Sequence, residues 1–215
     1  MVGFTTFINK RRDFIKQTLG LALFSAFNPL KLFSQSNINE RETKQETTIN
    51  MGENYFIPAQ TRMGHVHLKV SNIERSLKFY RDLLGFKVQA MIGNQAAFIS
   101  AGGYHHHLGL NTWHSKDAPP AATEGVGLYH TAILYPTRKD LAVIYNRLQK
   151  ANYPLTGASD HGVSEAIYLN DPDNNGVELY WDRPKELWTY KPDGSIEMVS
   201  KALDLDDLLK EMQES

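Results

Sequence analysis

Two histidines, His65 and His130, stand at matched points of two similar stretches of chain. Gly64-His65-Val66-His67-Leu68-Lys69-Val70 and Tyr129-His130-Thr131-Ala132-Ile133-Leu134 both alternate as strands do, with Val66, Leu68 and Val70 on one face. The same 65-residue offset relates Leu68 to Ile133, Tyr80 to Tyr145 and Leu83 to Leu148, so the repeat extends well beyond the imidazoles. His67 shares a face with His65 and offers the same donor. The chain has no cysteine, which excludes disulfides, thiolate metal sites and cysteine nucleophiles together. A metal held here must be held by imidazole, carboxylate or backbone oxygen.

The elements that position these histidines follow from periodicity. After the first strand, Ser71 or Asn72 is expected to cap a helix carrying Ile73, Leu77, Tyr80, Leu83 and Leu84, with Gly85 ending it. Short strands follow at Phe86–Met91, Ala96–Ser100 and His106–Trp113. In the second repeat Thr137 caps a helix with Leu141, Ile144, Tyr145 and Leu148, and strands follow at Leu155–Ala158, Glu165–Asn170 and Val177–Trp181. A turn at Asp171-Pro172-Asp173-Asn174-Asn175-Gly176 precedes the last of them. Each unit is β-α-β-β-β, an α+β arrangement. One helix covers only one face of a four-stranded sheet, so two such modules side by side would form a cupped mixed sheet around a shared concave site.

This pattern resembles the vicinal-oxygen-chelate superfamily of glyoxalases, bleomycin-resistance proteins and extradiol dioxygenases. The resemblance rests on His65-x-x-Leu-x-Val, on Ser76-Leu77-x-Phe79-Tyr80-x-x-Leu83-Leu84-Gly85-Phe86, and on Tyr168-Leu-x-Asp171-Pro172-Asp173-x-Asn175-Gly176-Val177-Glu178-Leu179-Tyr180. Within the superfamily, His105-His-His-Leu-Gly-Leu-Asn-Thr-Trp113 and Asp160-His-Gly-Val-Ser164 are most similar to bacterial catechol-2,3-dioxygenases. Such dioxygenases carry two copies of the paired module and this chain carries one, which alters substrate access or calls for a homodimer.

The resemblance implies one metal bound by His65, His130 and Glu178. Two imidazoles and a carboxylate leave one side of an octahedral ion open, as Fe(II) oxygen chemistry requires; Mn(II) suits the same donors. It further implies His106 as an acid–base group, Tyr168 as a hydrogen-bond partner of the substrate oxygen, and His161 as a group that gates or orients the substrate. The implied partners are an aromatic diol and dioxygen. Two other functions use the same fold: a glyoxalase-like isomerase or transferase on Zn or Ni, and a drug- or metabolite-binding resistance protein. The isomerase needs a further ligand from the last strand of the first repeat, where His106-His107-Leu108-Gly109-Leu110-Asn111 offers no carboxylate. Trp113, Tyr180 and Trp181 could wall an apolar pocket for a planar ring.

The 215 residues carry a net charge of -1 and 41% hydrophobic residues, enough for a core. There is no basic stripe for nucleic acid. The basic cluster Lys10-Arg11-Arg12, then Asp13-Phe14-Ile15-Lys16 and an uncharged run from Gln17 to Leu30, resembles a twin-arginine export signal. It implies the twin-arginine export machinery as a partner and an address outside the cytoplasm, periplasmic or membrane-anchored. The expected organisation is a signal or anchor over 1–34, a polar linker over 35–59, the paired-module domain over 60–190, and a C-terminal turn and acidic helix over 191–215.

Overall fold

The computed structural model describes residues 54–213; the expected export signal, and the expected linker as far as residue 53, lie outside the described residues. The described residues from Ile57 onward form one compact unit. It opens with β1 (Val66–Lys69), α1 (Ile73–Leu77), β2 (Lys87–Ile92), β3 (Ala96–Ser100) and β4 (Leu108–Asn111). The second module has β5 (Thr131–Leu134), α2 (Arg138–Lys150), β6 (Gly157–Asp160), β7 (Ser164–Asn170) and β8 (Gly176–Asp182). The two sheets run β1-β4-β3-β2 and β5-β8-β7-β6. In each, the first strand lies parallel to the last, so one crossover order is used twice.

The repeat is visible in the helix starts. The Asn72 side chain accepts from the Arg75 N–H, and Thr137 from the Asp140 N–H, each satisfying a donor the first helical turn leaves open. In α2 the buried Leu141, Ala142, Ile144, Tyr145 and Leu148 form one face. The first helix differs from its expected regularity. Beyond Leu77 it continues as a wider turn over Lys78–Leu83, where Leu84 N–H reaches back to the Phe79 carbonyl. The extra residue per turn lets both Phe79 and Tyr80 be buried, and Phe79 packs on Tyr153 of the second module. Gly85 ends the helix with a φ of 92°.

A single cluster of buried residues spans both modules, from Leu68 and Ile99 to Leu141, Leu179 and Leu208. Polar contacts staple the modules together through the Asp171–Gly176 turn. Tyr80 Oη donates to Asp171 Oδ2 at 3.0 Å and the Ser71 N–H donates to Asp173 Oδ2 at 3.1 Å. Arg75 pairs with Asp173. On the other side, Arg147 donates to the carbonyls of Asp82 and Leu83. The acidic turn is therefore an inter-module anchor.

The C-terminal segment adds a fifth strand, β9 (Lys201–Ala202), beside β6, and ends in α3 (Leu205–Lys210), capped by Asp204. Leu208 is fully buried. Arg138 at the start of α2 joins buried Glu165 at 2.8 Å to Asp207 at 3.0 Å and Glu211 at 2.8 Å. Arg183 pairs with the other oxygen of Glu165 at 2.7 Å. Glu165, 3% exposed, is thus satisfied by two guanidiniums, the arrangement a buried carboxylate requires.

Candidate metal and proton-transfer site

Strand alternation decides which side chains of the second sheet face away from the core. Val177 and Leu179 are buried, so Glu178 and Tyr180 point to the opposite face. Tyr168 is the direct cross-strand partner of Glu178 in β7, and Ala132 its partner in β5. His130, one residue before β5 and in phase with Ala132, therefore falls on the face of Glu178 and Tyr168.

The side chains form a continuous chain on that face. His130 Nε2 is 3.0 Å from Glu178 Oε2. Glu178 Oε1 accepts from Tyr168 Oη at 3.0 Å, and Tyr168 Oη is 2.7 Å from His161 Nε2. Burial, then the Glu178 charge and hydrogen bond, push the Tyr168 phenol up to about 12. His130, His161 and Tyr168 line a cavity of about 840 Å³ whose other wall is the loop 121–129. That loop exposes Val126, Leu128 and Tyr129.

Gly176 makes the arrangement feasible. A Cβ there would lie 2.1 Å from the Tyr129 carbonyl oxygen and 3.1 Å from His130 Cβ. Only a glycine lets the chain before β5 approach the start of β8 so closely. Sequence alone marks Gly176 as part of a turn; its role in seating His130 needs the pairing of β5 with β8.

His65 and His106 are brought together elsewhere. Their rings are 4.4 Å apart at the start of β1 and before β4, and His106 packs edge-on to Phe98. His105 Nδ1 is 2.7 Å from His106 Nδ1. Desolvation first, and then the neighbouring imidazoles, hold His106 below the ordinary histidine value. Desolvation and His65 do the same for His67. His67 sits beside Phe98 and Trp113, over Gly109, where a Cβ would lie 2.8 Å from its ring. It is an exposed strand histidine resting against these rings.

The six residues thus fall into two groups: His130, Glu178, Tyr168 and His161 on the second module, His65 and His106 on the first. Among the described residues, no group of three or more His, Asp or Glu side chains converges closely enough to hold a metal ion. The His130–Glu178 pair does suit one. Two cis donors each about 2.1 Å from an octahedral ion lie about 3 Å apart, the separation seen. Of the three aromatic residues expected to wall a pocket, Tyr180 shares the face of Glu178 and the two tryptophans lie elsewhere. Trp113 lies against His67, and Trp181 packs on the core; Tyr129 is the aromatic residue lining the cavity beside Tyr168. Asn111, on the strand from which the isomerase needs a further ligand, is buried, and its Oδ1 accepts from the Trp113 N–H.

Fold and site define a paired-module protein with a histidine–carboxylate centre on a sheet face. The chain belongs to the glyoxalase/bleomycin resistance protein/dioxygenase superfamily, whose profile matches residues 62–179. Over 155 residues it is 39% identical to catechol-2,3-dioxygenase of Bacillus subtilis (strain 168), a match covering 72% of this chain and 53% of that protein. It therefore spans about half the length of that relative. It is 32% identical over 133 residues to biphenyl-2,3-diol 1,2-dioxygenase 3 of Rhodococcus globerulus, covering 60% of this chain and 69% of the relative. Among solved structures, a glyoxalase/dioxygenase from Nostoc punctiforme superposes with a TM-score of 0.50 at 16% identity, over 61% of this chain and 98% of that one, a likeness of fold alone.

Proposed function

We propose that this protein is an extradiol dioxygenase that opens a catechol-like ring with dioxygen, using one Fe(II) held by His65, His130 and Glu178. The observation that carries it is the hydrogen-bonded set His130, Glu178, Tyr168 and His161 on one sheet face, beside the cavity, in a chain with 39% identity to a catechol-2,3-dioxygenase. His65 is the third donor by its repeat equivalence to His130. Bound there, the metal would supply adjacent open positions for a diolate and dioxygen; Mn(II) suits the same ligands.

The chain's own residues would divide the remaining work. Tyr168 orients Glu178 and presents a neutral phenol to the substrate oxygen, its proton retained by burial. His161 holds the far side of that phenol. His106, beside His65, accepts and returns the proton of the diol. The loop 121–129 excludes water from one side of the ring. The protein would be exported by the twin-arginine machinery and work outside the cytoplasm.

The test is anaerobic addition of catechol and alkylcatechols to the Fe(II)-loaded protein, followed by oxygen. A spectral change on binding and a yellow ring-opened product on oxygenation are expected. No oxygen uptake across the panel, with turnover of a hemithioacetal on Zn(II), would defeat this reading.

A further inference from the structure

The segment after Arg183 lies beyond the family-matched residues 62–179, yet it reaches the site. Val199 and His161 exchange two hydrogen bonds. The Val199 N–H donates to the His161 carbonyl at 3.1 Å, and the Val199 carbonyl oxygen is 2.9 Å from His161 Nδ1. A carbonyl oxygen can only accept, so Nδ1 must carry a proton. In a neutral ring this leaves Nε2 as a lone pair, and Nε2 is the atom 2.7 Å from Tyr168 Oη. The Tyr168 hydroxyl can donate or accept and so does not decide the tautomer; the carbonyl, which only accepts, does.

We propose that Val199 is a positioning residue of the site: its backbone carbonyl fixes His161 as the Nδ1–H tautomer and so aims the Nε2 lone pair at the Tyr168 hydroxyl. The phenol then has one proton and two acceptors, Glu178 Oε1 at 3.0 Å and His161 Nε2 at 2.7 Å.

The fold holds the strap independently of the site. Ser159 pairs with Ala202 and Asp160 with Lys201 in the β6–β9 ladder, and the Glu197 N–H donates to the Thr189 carbonyl. Gly162, with a φ of 79°, admits it: a Cβ there would already lie 3.3 Å from Val199 Cγ2. Arg138 clamps α3 beyond the strap through Asp207 and Glu211. The C-terminal segment is thus a structural support that also sets a proton position. What His161 does for turnover rests on the ring-cleavage reading; the hydrogen bond does not.

The experiment uses the full-length protein labelled with ¹⁵N-histidine, metal-free for the NMR and Fe(II)-loaded for turnover. Long-range ¹H–¹⁵N NMR at about pH 9, where an imidazole is neutral, reads the tautomer, with His161 assigned by its loss in His161→Gln. A protonated Nδ1 is expected in the unmodified protein and in Val199→Ala, which keeps the carbonyl. Val199→Pro removes the N–H given to His161 and displaces the strap. It is expected to return the ring to the ordinary mixture favouring Nε2–H, and to lower kcat on catechol about ten-fold with KM and metal content unchanged. An unprotonated Nδ1 in the unmodified protein overturns the proposal, whether or not Val199→Pro folds. If the tautomer is as expected and no catechol is cleaved, the positioning stands and the ring-cleavage reading fails.

Discussion

Tyr168 and Glu178 are direct partners across the β7–β8 ladder, and the phenol donates to Glu178 Oε1 at 3.0 Å while Oε2 of the same carboxylate faces His130. The carboxylate is therefore held from one side by a neutral donor while its other oxygen meets His130; under the proposed function this is the outer support that a metal-binding carboxylate commonly requires.

Tyr168→Phe removes that donor and keeps the ring. Metal content measured by elemental analysis should change little, whereas kcat should fall about 10- to 100-fold. Loss of metal equal to that in Glu178→Ala would show that the phenol holds the ligand in place and does nothing further.

Gly176→Ala places a methyl group against the Tyr129 carbonyl and His130. His130 must then move away from β8. The expected result is at least a ten-fold loss of metal affinity together with a lower urea midpoint. A variant with unchanged affinity would remove His130 from the site. His67→Ala, by contrast, should leave the metal in place.

Alkaline pH should destabilise the fold. Burial raises Tyr135, Tyr153 and Tyr168 to about 12, and raises Tyr80 as well, where the Asp171 charge adds to it. A phenol whose folded value lies above its unfolded value near 10 binds its proton more tightly in the folded state. Its contribution is complete below about pH 10 and is lost as pH rises toward 12. Urea midpoints measured from pH 8 to 11.5 should be flat and then fall, and Tyr153→Phe should lessen the fall. A flat profile throughout would contradict these shifts.

Asp173 joins the modules by accepting from the Ser71 N–H and pairing with Arg75. Asp173→Ala leaves a buried N–H unsatisfied and should cost about 2–3 kcal/mol. Arg75 is half-exposed, so Arg75→Ala should cost about 1 kcal/mol or less. A double-mutant cycle by urea unfolding checks the coupling, and purely additive losses would show that the pair contributes nothing of its own.

Arg11→Lys with Arg12→Lys keeps the charge of the N-terminal cluster and removes the guanidinium pair. Under the proposed export route, cell fractionation should find the precursor retained in the cytoplasm. Unchanged export would favour the general secretory route.

The repeat was legible because it is written in local periodicity. His65 and His130, Leu68 and Ile133, and Tyr80 and Tyr145 recur at one offset, and Asn72 and Thr137 cap helices at that same offset. Strand ends were less legible. The strand expected over His106–Trp113 is confined to Leu108–Asn111, because hydrophobic alternation does not report where the pairing partner stops.

The sequence by itself determined which residues share a face. Within each strand, period-two alternation puts Tyr168 opposite the buried Ile167 and Leu169, and Glu178 opposite the buried Val177 and Leu179, whatever the strands pack against. Only the tertiary structure decided which faces and termini meet. It placed His65 beside His106, made Asp171 and Asp173 an anchor between modules, required Gly176 to be bare, and brought the Val199 carbonyl to His161. Those contacts join residues far apart in sequence, and strand pairing and module packing set them. Local pattern is a property of a few residues at a time, whereas such contacts depend on the free energy of the whole packed chain.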